Sequence, residues 1–350
     1  MERSVYRIID ANFNRAREAI RVMEEFCRFT LNCRPLTERS KQFRHELSKT
    51  IGRLDAGRLI TARDTTGDVG TDLAIEGQLK RGNMMDCLTA GGKRLTESLR
   101  ALSETIQTFN PSIAQEIENM RYAAYTLEKD ILLFADAQTK FNRVNLYVII
   151  SSTLPAEVLR LTNGCLAGGA DCVQLRSKGL EDNQLYALAV EFVKMCKDGG
   201  ALSIINDRID IAVAADADGV HLGQNDLLVE QAHRIELKPL VIGKSTHSIK
   251  ELETACQERP AYVSLGPVFS SVTKPGVQPV GMDYVQKGIE LLADTGIAHV
   301  AIGGINLANT EQVLKAGAKS VAVCSAISDS PDPSGTCRAL KKKISSVMSK

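Results

Sequence analysis

Tryptophan is absent from this 350-residue sequence, and no apolar run approaches the roughly 20 residues that a membrane-spanning helix needs. An excess of charge of one sign is also lacking, because 43 Lys and Arg residues stand against 42 Asp and Glu residues. This balance gives no reason to expect a nucleic-acid or membrane partner. The first residues are charged and lack an apolar segment, so the sequence predicts no secretory leader.

Cysteine never occurs as a Cys-x-x-Cys pair among its nine positions, and there are only five histidines. Several cysteines lie inside apolar runs, such as Cys172 and Cys324, and none is spaced with histidine as a zinc ligand set. We therefore expect buried, reduced thiols in a cytoplasmic protein. His247 and His299 are expected to be structural, whereas His221 is open between a structural role and a ligand contact.

The first 135 residues have helical periodicity, because apolar residues recur three and four positions apart. Helices are predicted at the amino terminus and over about 36–55, 84–108 and 112–135, with a loop rich in Gly, Asp and Thr at 63–72. Residues 1–135 are accordingly predicted to form an all-helical domain.

A weak internal repeat lies within this helical segment. Two trios of Arg, Glu and Arg recur with the spacing i, i+3, i+6, which places each trio along one side of a helix. One copy alone would be explained by a solvated helix face with ion pairs. Because there are two copies, a polar binding face is an equal alternative. The residues predicted for that face are Asp10, Asn14, Arg15, Glu18 and Arg21.

Short apolar, β-branched runs alternate with helical stretches after residue 140. Eight strands are predicted, at 145–150, 172–176, 202–207, 218–223, 240–245, 262–269, 299–304 and 320–325. Near-continuous apolar strands between helices indicate a parallel sheet buried on both faces. Eight such units favour a closed barrel over an open doubly wound sheet, whose glycine fingerprint is absent. The predicted fold is α/β, a (β/α)8 TIM barrel over 141–350 preceded by the all-α domain.

Polar residues follow nearly every predicted strand, at the end where barrels of this kind form their active sites. Three cations, Arg176, Lys178 and Lys274, and two carboxylates, Asp207 and Asp226, are expected in one cleft. Two carboxylates with a polyanionic ligand suggest Mg²⁺, and three cations suit a diphosphate whose departure needs charge neutralisation. Taken alone, Asp207 could equally be the N-cap of the helix that follows it.

Small residues follow the last two predicted strands. Gly303 and Gly304 come after the seventh strand, and Ser325 follows the eighth. Loops at these places commonly bind a phosphate through backbone N–H groups, and glycine lets the backbone approach the oxygens. An ordinary tight turn is the alternative.

Over about residues 141–345 the sequence resembles the thiamine-phosphate synthase family. The resemblance runs in order through VQLRSK, INDRIDIAVAADADGVHLGQND, IGKSTH, GPVFSSVTKPG, AIGGIN and VAVCSAI. That family couples a hydroxymethylpyrimidine diphosphate to a hydroxyethylthiazole phosphate and releases diphosphate, with Mg²⁺. The resemblance implies a transferase of thiamine biosynthesis with two phosphorylated small-molecule substrates. It does not decide whether the protein forms a homo-oligomer.

The resemblance also implies a role for individual residues. The pyrimidine diphosphate is expected at Gln174, Arg176, Lys178, Asn206, Ser245 and Lys274, and Mg²⁺ at Asp207 and Asp226. The thiazole phosphate is expected at Ser271, Val272, Thr273, Gly304, Cys324 and Ser325. The family usually has Thr-x-Thr before the lysine. Here the first of these is serine, which keeps the hydroxyl, so binding is expected to survive.

The helical segment resembles an N-terminal extension of longer family members through RIIDANFNRAREAIRVMEEFCRF. Related domains are associated with phosphorylating hydroxymethylpyrimidine phosphate. The sequence has no Walker loop, and a purely structural helical domain is the alternative.

A thiazole tautomerase and a non-catalytic sensor of a thiamine precursor are the alternative functions for the same barrel. A thiazole tautomerase would not need the diphosphate-binding cations. A non-catalytic sensor of a thiamine precursor would be expected to lack Lys178, Asp207, Asp226 or Lys274, and all four are present.

Overall fold

A computed structural model describes residues 2–70, 80–235, 238–270 and 278–349. Its internal contacts divide the chain into two compact units, Met1–Leu132 and Leu133–Lys350. Within the described ranges, no helix combines the length and the apolar character that crossing a membrane requires. All nine cysteines lie within these ranges, where none forms a disulfide and six are buried.

The first unit is helical over its described residues, as the sequence predicts. Its helices are α1 (Glu2–Glu25), a π-helical turn (Phe26–Thr30), α2 (Arg34–Ile51), α3 (Ala56–Ala62), α4 (Met84–Gln107) and most of α5 (Pro111–Phe141). The short α3 was not predicted. The Asp55 side chain caps it by accepting a hydrogen bond from the Arg58 N–H at 3.1 Å.

Helices α1 and α4 pack closely because α4 carries a glycine at their contact. A Cβ atom added at Gly91 would lie 3.4 Å from the Ala19 carbonyl oxygen and 3.6 Å from the Met23 side chain. Ile20 and Met23 of α1 and Leu95 of α4 are completely buried. The apolar stripes that predicted the helices therefore form the core of this unit.

The second unit is the predicted barrel. Eight parallel strands pair in chain order and close between the last and the first. They are β1 (Leu146–Ile150), β2 (Cys172–Leu175), β3 (Leu202–Asn206), β4 (Gly219–Leu222), β5 (Val241–Thr246), β6 (Tyr262–Leu265), β7 (Ala298–Ile302) and β8 (Val321–Val323). The sixth strand is shorter than predicted. Gly266 and Pro267 follow it, and proline has no N–H for the strand ladder.

Helices lie between the strands and after the last one. They are α6 (Pro155–Ala167), α7 (Asp182–Asp198), α8 (Ile209–Ala214), α9 (Val229–Ala232), α10 (Ile249–Glu258), α11 (Gly281–Leu292), α12 (Thr310–Lys315), α13 (Ser325–Ser328) and α14 (Pro333–Met348). The prediction of a (β/α)8 barrel preceded by helices is thus confirmed.

The last turn of α5 packs into the barrel interior at the amino-terminal end of the strands. The ring of Phe141 stacks on Tyr262, the first residue of β6, with centroids 3.9 Å apart and an interplanar angle of 6°. The Gln138 amide donates to the Ala261 carbonyl oxygen at 2.7 Å. These contacts close the end of the barrel opposite to the carboxyl ends of the strands.

Candidate active site at the carboxyl ends of the strands

A cavity with about 900 Å³ of space between atoms, part of it open to solvent, lies at the carboxyl ends of the strands. Seven of the residues predicted for the site line it: Gln174, Arg176, Asn206, Ser245, Gly304, Cys324 and Ser325.

Two cationic side chains lie at or beside the cavity where β2 ends. The Arg176 guanidinium donates to the Ser151 hydroxyl at 2.8 Å, across from the end of β1. Lys178 is largely exposed, and its ammonium lies 3.0 Å from a carboxylate oxygen of Asp207. Arg176 is among the residues that line the cavity, whereas Lys178, Asp207 and Asp226 are not.

Asp207 and Asp226 form a carboxylate pair beside these cations. The Asp226 carboxylate accepts a hydrogen bond from the Gly223 N–H at 2.6 Å. Burial raises the pKa of Asp226, the neighbouring Asp207 carboxyl acts in the same direction, and Lys178 opposes the rise. Among the described residues, no group of three or more His, Cys, Asp or Glu gathers as a metal site. A cation held here would thus need ligands from elsewhere.

The conformation of Asp207 excludes the capping role that the sequence left open. Helix α8 begins at Ile209, its N-cap position is Arg208, and no side chain caps it. Asp207 instead has a positive φ of 62°, and its N–H donates to the His221 carbonyl oxygen at 2.9 Å. This left-handed conformation suits aspartate and asparagine better than most residues. The N-cap interpretation is therefore wrong.

Gly303 and Gly304, which follow β7, both have positive φ, at 105° and 63°. A Cβ at Gly303 would lie 2.5 Å from Pro267, and one at Gly304 would lie 2.4 Å from the Ser270 carbonyl oxygen. Only glycine fits both positions without a shift of the backbone. The loop thus presents bare backbone to the cavity.

The histidines were expected to be structural at positions 247 and 299, and the role of His221 was left open. His221 and His247 both line the cavity, and the His247 imidazole lies 3.0 Å from the Glu251 carboxylate. His299 is buried near the amino-terminal end of β7. Its Nε2 accepts a hydrogen bond from the Lys319 N–H at 3.2 Å. Burial lowers the pKa of His299 to about 4, so it is neutral at pH 7.

Sequence reasoning also missed residues of the barrel interior. Tyr147 and Tyr262 are buried beneath the cavity and hydrogen-bonded to each other at 2.9 Å. Each stands inside an apolar run, where an aromatic residue indicates only core packing. The available signal was a phenolic hydroxyl in a buried strand, since such a group nearly always has a partner.

Four residues predicted for the site lie outside the described residues: Ser271, Val272, Thr273 and Lys274.

The residues predicted for the polar face of α1 differ in their partners and in their exposure. Asp10 is buried and accepts two hydrogen bonds from Arg63, at 2.8 and 2.7 Å, and Asn14 bonds to its carbonyl oxygen at 2.9 Å. Arg21 pairs instead with two glutamates that follow it on the same helix. Arg15 and Glu18 are exposed.

Two family models match this chain. Residues 146–327 match a model described as thiamine monophosphate synthase, and residues 7–130 match one described as the ThiD2 family. The first covers the strands of the barrel, and the second covers most of the helical unit.

Curated proteins resemble the chain over nearly its whole length. A thiamine-phosphate synthase of Thermosynechococcus vestitus is 37% identical over 340 residues, which cover 97% of this chain and 95% of that protein. One of Nostoc punctiforme is 36% identical over 348 residues, 99% of this chain and 96% of that protein.

A solved structure resembles the barrel unit. It is a thiamine phosphate pyrophosphorylase from Pyrococcus furiosus, 31% identical, with a TM-score of 0.54 over 60% of this chain and 98% of that one.

Proposed function

The chain belongs to the thiamine-phosphate synthase family and is a transferase of thiamine biosynthesis, and we propose that its cavity joins an aminopyrimidine diphosphate to a thiazole phosphate. The observation that carries this assignment is the division of the cavity into two unlike sides. Arg176 lines the cavity at the end of β2, and Lys178 and the Asp207–Asp226 pair follow β2 to β4 outside the lining residues. The bare backbone of Gly303 and Gly304 lines the cavity at the end of β7. The first side suits a diphosphate with a metal, and the second suits a monophosphate.

The carboxylate pair fits Mg²⁺ by its chemistry. Two adjacent hard oxygen donors, one of them with a raised pKa, are the donor set that Mg²⁺ takes together with phosphate oxygens and water. Asp207 and Asp226 would hold the ion. When bound, it would help to neutralise the charge of the departing diphosphate.

The side chains of the cavity would perform catalysis by positioning and charge stabilisation. Gln174, Asn206 and Ser245 would orient the pyrimidine, while Arg176 and Lys178, with Lys274 outside the described residues, would bind the diphosphate. The bond from the pyrimidine methylene carbon to the diphosphate oxygen breaks, the ring stabilises the positive charge, and the thiazole nitrogen forms the new bond to that carbon. No protein nucleophile is needed. Ser271, Val272 and Thr273, also outside the described residues, are proposed with Gly304, Cys324 and Ser325 for the thiazole phosphate.

Changing Gly304 to alanine tests the phosphate side of the cavity. The added methyl group would clash with the Ser270 carbonyl oxygen and displace the loop. We expect the KM for the thiazole phosphate to rise by at least about tenfold, with the KM for the pyrimidine diphosphate changed far less. Steady-state kinetics with each substrate varied in turn measures both.

Gly200→Ala is the matched control for this variant. Gly200 also has a positive φ, of 72°, but an added Cβ meets nothing within 4 Å. It follows α7 at the opposite end of the barrel from the cavity. If Gly304→Ala leaves the KM for the thiazole phosphate unchanged, the monophosphate is not bound at this loop.

We further propose that the helical unit phosphorylates hydroxymethylpyrimidine phosphate, which would supply the diphosphate that the barrel consumes. The match of residues 7–130 to the ThiD2 family favours an enzymatic over a purely structural unit. The full chain, given the pyrimidine monophosphate, ATP, Mg²⁺ and the thiazole phosphate, is expected to form thiamine phosphate. Synthesis from the preformed pyrimidine diphosphate, but none from the monophosphate with ATP, would contradict this proposal and leave the barrel's reaction intact.

A further inference from the structure

Five polar side chains form a continuous hydrogen-bonded path through the barrel interior, from one wall of the cavity to the other. Gln174 bonds to Tyr147, Tyr147 to Tyr262, Tyr262 to Nδ1 of His221, and Nε2 of His221 to Ser245, each at 2.9 Å. We call these five residues the interior network. Gln174, His221 and Ser245 line the cavity, and the two tyrosines lie beneath it.

The network is rigidly held. Tyr147 and Tyr262 are 1% and 0% exposed, and Phe141 stacks on Tyr262. Burial raises the pKa of both tyrosines well above the ordinary value, so both keep their protons. Replacing one of these hydrogen bonds by water would require space that a close-packed interior does not offer.

Counting protons shows how the two ends depend on each other. The network has four hydrogen bonds, while Tyr147, Tyr262 and a neutral imidazole supply three protons between them. The fourth proton must come from one end, either from the Gln174 amide or from the Ser245 hydroxyl. If neither end donated inward, one buried bond would be unmade. If both did, the Tyr147 proton would have to leave the path for the Cys172 sulfur, which is a weak acceptor.

The end groups therefore present opposite polarities to the cavity. When the Gln174 NH₂ donates to Tyr147, the protons of the network point toward Ser245, whose own hydroxyl proton is then free for a ligand acceptor. The Gln174 carbonyl oxygen is then free for a ligand donor, beside the second N–H of its amide. With the reverse orientation, Ser245 accepts from the ligand and Gln174 donates to it.

We propose that Tyr147, Tyr262 and His221 are positioning residues that couple the hydrogen-bonding polarity of Gln174 to that of Ser245, so that the site selects a ring edge with one donor and one acceptor. This rests on the proposed function, since an aminopyrimidine carries an amino donor beside a ring-nitrogen acceptor. With Gln174 donating to Tyr147, a ring with two acceptors would leave the Gln174 carbonyl oxygen without a ligand partner, and a ring with two donors would leave the Ser245 hydroxyl proton without one. The selectivity for the pyrimidine thus depends on Tyr147, Tyr262 and His221, which the ring need not contact.

A double-mutant cycle on Gln174→Ala and Ser245→Ala measures the coupling. The readout is kcat/KM for the pyrimidine diphosphate, at about pH 8, above the ordinary pKa of an imidazole. In the wild-type background the combined effect is expected to differ from the product of the single effects by at least about tenfold. In a Tyr262→Phe background, which keeps the stacked ring and removes the hydroxyl, the two effects are expected to multiply within about twofold.

Tyr284→Phe is the control background. Tyr284 is also a buried tyrosine, and its hydroxyl donates to the Thr246 hydroxyl at 2.7 Å, next to Ser245 but outside the network. The coupling is expected to persist there. If Tyr262→Phe does not fold, Tyr147→Phe is used in its place, because it interrupts the network at the neighbouring tyrosine.

Three results would overturn the proposal: no coupling in the wild type, undiminished coupling after Tyr262→Phe, or equal loss of coupling after Tyr284→Phe. Failure of the proposed function is distinct, because the wild-type chain would then form no thiamine phosphate from the two substrates. A purely structural role for Tyr262 would lower kcat/KM or stability without removing the coupling term.

Discussion

Replacement of Asp207 by asparagine is expected to lower the rate of thiamine phosphate formation by at least about 100-fold while leaving the fold intact. The substitution removes one of the two adjacent carboxylates proposed for Mg²⁺ and leaves Lys178 without its ion-pair partner. Asparagine has nearly the same size, tolerates the positive φ of this position, and keeps the N–H that bonds to His221. The loss should therefore arise in the chemistry of the site.

Stability and activity are expected to separate in this variant. The Asp207 carboxyl contributes to the raised pKa of Asp226 although Lys178 opposes the rise, so the two carboxyls repel in the folded protein when no metal ion is present. Removing one charge relieves that repulsion, and the thermal midpoint measured in EDTA should stay level or rise slightly. A Mg²⁺ titration of the initial rate should show a weaker dependence on the ion than in the wild type.

Asp216→Asn is the matched control for Asp207→Asn. Asp216 also has a positive φ, of 57°, and also pairs with a lysine, Lys238, but it is exposed on the surface. Its substitution is expected to change the rate by less than about twofold. Near-normal turnover of Asp207→Asn would remove this carboxylate from the proposed metal site.

The strands and their polar ends were predictable because both signals are local. A buried parallel strand is a short apolar run, and the residue after it, such as Arg176 after β2 or Asp207 after β3, is placed at the active end by the topology alone. Whether Asp207 caps a helix or joins Asp226 depends on its backbone conformation, which the sequence did not specify.

The two tyrosines of the interior network were not predictable for a related reason. Each stands in an apolar strand that is buried on both faces, so the sequence does not tell whether its side chain faces the barrel axis. Tyr147 and Tyr262 are 115 positions apart, and only the closed sheet brings their hydroxyls together. The end of α5 was missed similarly. The predicted helix stops at 135, while the real one continues to Phe141 because its last turn packs on strands that come later in the chain.

Phe141→Ala is expected to destabilise the barrel unit by about 3–5 kcal/mol, the usual range for a fully buried phenylalanine. Phe141 is 1% exposed and packs between the rings of Tyr262, at 3.9 Å, and Tyr147, at 6.3 Å. Its removal would leave a cavity under the interior network. Loss of synthase activity with increasing urea reports on the unfolding of this unit. The urea concentration at which half of the activity is lost is expected to fall by roughly 1 M or more. Tyr186→Ala, an exposed aromatic on α7 of the same unit, should shift it by less than about 0.3 M.

Phe141→Leu separates the two ways in which this ring can act. Leucine refills most of the apolar volume but cannot stack on Tyr262, so a loss caused mainly by the cavity should be smaller than in Phe141→Ala, by roughly half. Stacking adds only about 0.5–1.5 kcal/mol beyond area burial, too little to explain the full loss expected for alanine. Equal midpoints for the leucine and alanine variants would therefore contradict the cavity argument and show that the aromatic ring itself is required at the closed end of the barrel.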